Sequence, residues 1–207
     1  MLNYRSAVMA AAWFLATSSL HGQREVRGNT IISDSLPSIR LAVDSSMAYV
    51  GRQTFVLYNV ANADQFFFAE LDGKRVKRFI WIQFEGYLPG INSTYDYSRD
   101  STIALWGKTI YRNSALRATP TSEPRPESDG ARARAFLRER GLTLAPSMLY
   151  HRLVWLVDQP ARNELMIIYM EDPADYNPTG TLDGILLRSL LDLSLRRAEQ
   201  SILIRAR

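Results

Sequence analysis

The chain contains no cysteine. That excludes disulfides, thiolate nucleophiles, thiolate-ligated metals and a lipid anchor on an N-terminal cysteine. Histidine is nearly as scarce. Of the two, His21 falls in the N-terminal segment, and His151 is the only one beyond it. A multi-histidine metal site is therefore impossible, and one imidazole would have to serve any catalytic triad. The phosphate-cradling patterns G-x-G-x-x-G and G-x-x-x-x-G-K-[ST] are absent, as is the nucleophile elbow G-x-S-x-G. After the first twenty residues no apolar run approaches the length of a membrane span. A large charge excess is also missing. The 25 basic and 21 acidic side chains give a formal net charge of +4, too small and too evenly spread to argue for nucleic acid. Lysine contributes three of the cations and arginine 22, which reads as base-composition bias in the genome.

What is present begins with an address. Arg5 supplies one positive charge, a short apolar run follows to Leu20, and small residues cluster at Ala16, Thr17, Ser18, Ser19 and Gly22. This is the layout of a cleavable export signal over residues 1–22. The competing reading is an uncleaved anchor. With no cysteine, export fits a bacterial envelope, so the expected location is periplasmic or secreted. No stable membrane insertion is expected after cleavage. Residues 23–207 have the length and average composition of one globular domain.

Hydrophobic periodicity divides that domain. Gln23 to Asn29 reads as a poorly ordered lead-in. Strands are expected at Ile39–Val43, Met47–Asn59, Gln65–Leu71, Arg75–Glu85 and Ser101–Arg112. Asp72-Gly73 between two β runs is the strongest hairpin signal. In Arg75–Glu85, Val76, Arg78, Ile80, Ile82 and Phe84 alternate with Lys77, Phe79, Trp81, Gln83 and Glu85. Residues 113–130, with three prolines, read as a loop or linker. Ser128 caps a short surface helix ended by Gly141. Met148–Val157 and Asn163–Glu171 form a second hairpin, and the longest helix runs from Leu182 to about Leu203. The fold class is α+β: a curved antiparallel sheet of six to eight strands with the C-terminal helix packed across it, or alternatively a closed β-barrel with an attached helix.

Chemistry-bearing residues are few. His151 shares a strand face with Leu149, Leu153, Trp155 and Val157. It is a general base if it lines a cavity, and otherwise a hydrogen-bonded core histidine. The segment from Glu85 to Asp100 carries Tyr87, Tyr95 and Tyr97 with Asp96, beyond a strand bearing Trp81. Tyrosine offers a flat apolar face with a polar tip, which suits an aromatic ligand or a protein partner. Oxygen ligands alternate over residues 96–100 as in a calcium loop, but no glycine and no bidentate glutamate follow at the required positions. No metal site and no cofactor are expected.

Trp81, Glu85, Tyr87, Tyr95, Asp96, His151 and Trp155 are thus the candidate ligand-binding residues. The expected function is a non-catalytic exported binding protein for a small apolar or aromatic ligand, held between the sheet and the last helix. The alternative is an accessory or interaction protein of an envelope assembly, using the Tyr-rich 85–97 loop. An enzyme built on His151, or on Glu85 with Asp96 as an acid–base pair, ranks third.

Overall fold

The computed structural model describes residues 24–122, 125–176, 182 and 184–207; the expected export signal lies outside them. The fold is mostly sheet, α+β, with no closed barrel among the described residues. Seven antiparallel strands form the main sheet and four more form a second one.

In chain order the strands are β1 (Arg24–Arg27), β2 (Thr30–Ser33), β3 (Ile39–Val43), β4 (Ala48–Leu57), β5 (Ala61–Asp72), β6 (Arg75–Tyr87), β7 (Ser101–Leu105) and β8 (Lys108–Ala118). Helix α1 (Asp129–Glu139) follows, then β9 (Ser147–Leu156), β10 (Asn163–Glu171), α2 (Gly184–Ser201) and β11 (Ile202–Ala206). The main sheet has the order β4-β5-β6-β10-β9-β8-β7, and the small one β1-β2-β3-β11.

Turn chemistry explains several boundaries. Gly73 takes φ +58 between β5 and β6, as the Asp-Gly signal requires. Trp106 and Gly107 both take positive φ and divide the expected strand 101–112 into the β7–β8 hairpin. Tyr58 and Asn59 do the same between β4 and β5, without a glycine to announce it. Gly28, at φ +56, turns the expected lead-in into the β1–β2 hairpin.

Two further expectations are corrected. The last helix stops at Ser201, and Ile202–Ala206 pairs with β3. Ile202 and Ile204 are β-branched, and the strand pairing completes a sheet whose inner face buries Ile31, Leu41 and Ile202. Asn113–Ala118, the start of the expected 113–130 loop, is strand paired with β9. The strands on either side of that loop share one sheet.

Both faces of the main sheet are covered. On one, Phe66, Phe68, Ile80, Ile82, Leu153 and Ile167 pack with Leu41, Ala198 and Ile202 of the small sheet and α2. At the junction of the two sheets Asp64 takes two hydrogen bonds from Arg52, at 2.7 and 2.8 Å, and an ion pair from Arg24 at 3.5 Å. On the other face α1 lays Ala133, Phe136 and Leu137 against Phe67, Phe79, Trp81 and Ile168. The α1 helix is therefore no loose surface element. Phe67 lies tilted against Phe136 at 4.5 Å and stacks on Phe79 at 5.7 Å, pairs worth about 1 kcal/mol each beyond their burial.

A bulge between Glu70 and Leu71 shifts the β5–β6 register. It carries Val76 into the core under α1 with Phe79, out of the simple alternation that groups it with Ile80 and Ile82.

Candidate functional site

The register of the main sheet lays out its α1 face as a grid of rows. Trp81, Ile168, Arg152 and Asn113 form one row across β6, β10, β9 and β8. Beyond it on one side lie Phe79, Met170, Tyr150 and Ala115, and then Met148 with Arg117. On the other side lie Gln83, Met166, Val154 and Tyr111, and then Glu85 with Glu164.

Because α1 leans over β5 and β6, a cleft of about 590 Å³ remains between the helix, the sheet and the segment leading into α1. Its floor is apolar and sulfur-rich: Phe79, Trp81, Met148, Met166, Ile168 and Met170. Methionine packs adaptably and favours aromatic contacts. The rim carries Arg117, Arg125, Arg134 and Arg152 together with Asp129. Ser128 Oγ accepts a hydrogen bond from Ala131 N at 3.2 Å and so fixes where α1 starts.

At the far end of the grid is a buried polar chain. Gln53 donates to Gln65 and Gln65 to Gln83, each at 2.6 Å, and Gln83 donates to Glu85. Trp81 Nε1 donates to Gln83 at 3.2 Å. Tyr95 donates to Glu85 at 2.8 Å, and Tyr97 to Glu164 at 2.6 Å. Burial pushes the Glu164 carboxyl up to about 8, with the charge of Glu85 adding to the effect. Glu85 and Asp129 are also raised, by burial first. A neutral carboxyl is favoured here because an ion would lose its water without a full cationic partner. Tyr95 and Tyr97 are raised by the same burial and by the carboxylates they face.

The sequence-derived candidates divide between two faces. Trp81 lies in the cleft. Glu85, Tyr87 and Tyr95 gather at the polar end, with the two tyrosine rings stacked 4.6 Å apart. Asp96 is exposed and caps its own turn by accepting from Ser98 N at 2.9 Å, so Glu85 faces Glu164 rather than Asp96. His151 and Trp155 belong to the opposite face. His151 is 1% exposed, with Nε2 2.6 Å from Ser194 Oγ and Nδ1 2.8 Å from Ser114 Oγ. Ser194 gives its own proton to Leu191 O at 3.2 Å. Burial pushes this imidazole down to about 4. Trp155 borders the same core, beneath Lys108 Nζ at 4.8 Å.

The binding site expected between the sheet and the last helix drew on Trp81, His151 and Trp155, and the structure does not bring Trp81 together with the other two. Strand alternation puts Trp81 and that pair on opposite sides of the sheet, and the large cleft is on the α1 side. Glu164, Asp129, Arg152 and the methionine floor escaped the sequence reading. The one signal for Glu164 was a carboxylate next to the apolar run 165–168.

Among the described residues, no group of three or more histidines or carboxylates is placed to hold a metal ion, and no helix is long and apolar enough to cross a membrane. No family model, no curated protein and no solved structure matches the chain.

Proposed function

We propose that the protein is a non-catalytic binding protein of the bacterial envelope that holds a small apolar or aromatic molecule in the cleft beneath α1. The observation that carries this reading is the cleft's composition. About 590 Å³ falls within the range of roughly 300–1,000 Å³ usual for small-molecule sites. An aromatic and methionine floor with a few polar groups at the rim is the lining such sites use.

Two rival readings have less support. Glu164 would be the natural general acid, but it is 3% exposed, is engaged by Tyr97 and lines no part of the cleft. The Tyr-rich loop would suit a protein partner if its rings stood free. Instead Tyr95 and Tyr97 turn their hydroxyls inward to Glu85 and Glu164, and Arg162 donates to the carbonyls of Ile91, Ser93 and Leu88.

The test is titration of the purified protein with N-phenyl-1-naphthylamine, a neutral dye that brightens in apolar surroundings. Saturable brightening is expected, and Met170→Trp, which fills the floor beside Phe79, is expected to suppress it without loss of the folded state. Absence of saturable brightening in the parent protein overturns the reading.

A further inference from the structure

We infer that the ligand of this cleft is an organic anion, an apolar or aromatic body carrying one acidic head group, with the head held by the arginines of the rim. The inference rests on the binding reading above and adds the ligand's charge and its orientation.

Four arginines reach the cleft from four separate segments. Arg117 comes from β8, Arg125 from the loop before α1, Arg134 from α1 and Arg152 from β9. Among the described lining residues Asp129 is the one carboxyl, and Asp100, outside the lining, pairs with Arg152 at 2.7 Å. The cleft therefore presents excess positive charge around an apolar floor. Arg117 is stacked over Tyr150 with its guanidinium carbon 4.2 Å from the ring centre, and Arg152 lies 5.2 Å over Tyr97. A stacked guanidinium is held in place with in-plane donors at its edge, of which Arg117 commits Nη2 to Asn113 Oδ1 at 3.1 Å. Arg152 commits Nη2 to Asp100 at 2.7 Å, while its buried Nε has no hydrogen-bond partner, so Asp100 does not saturate this side chain.

The grid also sets a direction. The acidic row of Glu85 and Glu164 lies opposite Leu156, and Arg117 lies opposite Met148. Eight residues of strand separate Leu156 from Met148, about 27 Å at about 3.4 Å per residue. The first row offers an anionic head no cation, and the second offers it Arg117. The body then lies along Trp81, Ile168 and Met170. Arginine grips carboxylate, sulfonate and phosphate oxygens with the same paired N–H geometry, so the shared feature is the oxyanion on an apolar body.

The test compares two dyes with the same aromatic body, anionic 1-anilinonaphthalene-8-sulfonate and neutral N-phenyl-1-naphthylamine, on the parent protein and on Arg117→Gln/Arg125→Gln. Both of these arginines are exposed, so the double variant keeps the fold. The anionic dye is expected to bind the parent more tightly than the neutral one. The double variant is expected to weaken the anionic dye by about threefold to tenfold and to leave the neutral dye unchanged. Added salt should act in the same direction. Octanoate and octyl phosphate as competitors separate carboxylic from phosphoric heads, and competition by either supports the inference. Equal affinity for both dyes, unmoved by the double variant, overturns it and leaves the binding reading standing. Failure of both dyes to bind overturns both.

Discussion

Glu85 and Glu164 sit directly opposite each other on β6 and β10, and each accepts a hydrogen bond from a tyrosine of the same loop. Two like-charged groups are thus held side by side in a poorly solvated place, tied to the loop that closes one end of the α1 face. The tyrosine hydroxyls donate, so they satisfy the carboxyl oxygens without neutralising them. Proton uptake supplies the remainder, which is why Glu164 is pushed up to about 8.

That shift has a sign in stability. Between the ordinary carboxyl value of 4.5 and about 8 the folded protein binds more protons at Glu164 than the unfolded chain does. Its contribution is complete below 4.5 and is lost as pH rises to about 8. Glu164→Gln keeps an acceptor for Tyr97 and removes the titration. It is expected to match the parent at pH 4 and to exceed it by roughly 4 kcal/mol at pH 8.5. Chemical denaturation at the two pH values checks this; a variant that is weaker at pH 8.5 contradicts it.

His151 runs the other way. Its folded value of about 4 lies below the ordinary 6.5, so the unfolded chain binds more protons between these values. Stability from this group is complete above 6.5 and lost as pH falls towards 4. His151→Gln is expected to lose about 1–3 kcal/mol at pH 7.5 through the broken serine bridge, and to flatten the acid limb of the stability profile. An unchanged acid limb would assign the pH dependence to other groups.

Gly51 on β4 meets α1 at Phe136. It takes φ +141, and a Cβ there would lie 2.8 Å from Phe136 Cζ. Gly51→Ala is expected to cost about 2 kcal/mol through backbone strain and displacement of Phe136. Thermal melting reads the loss. A variant as stable as the parent would show that α1 can shift freely.

Arg162 holds the loop by donating to three of its carbonyls, at 2.5 Å to Ile91, 3.2 Å to Ser93 and 3.3 Å to Leu88. Arg162→Ala is expected to raise amide hydrogen exchange across residues 88–100 and to leave β9 and β10 protected. Uniformly faster exchange would mean that the arginine supports the whole sheet rather than the loop.

Local chemistry was legible wherever a residue type forces a backbone shape. Asp72-Gly73 announces its hairpin, and Ser128 with Gly141 brackets α1. The alternation of Leu153, Trp155 and Val157 puts His151 on their face. The turn at Tyr58-Asn59 was not legible, because non-glycine residues adopt positive φ there only with the strand pairing on both sides to hold them, and Gly107 sits inside a run whose alternation reads as one strand.

Composition and patterning by themselves determined an α+β chain without thiol chemistry, rich in strands, with His151 on an apolar face. The tertiary structure alone decided that Ile202–Ala206 leaves the helix to complete a second sheet, that Trp81 and His151 lie on opposite sides of the main one, and that Glu85 meets Glu164. The physical reason is register. Alternation within a strand sets which side chains share a face, but it carries nothing about which neighbour arrives beside that strand or which helix covers the face. Those choices depend on pairings between residues as far apart as Glu85 and Glu164, or Val43 and Ile202. They are made by the burial of the whole core and not by any segment of it.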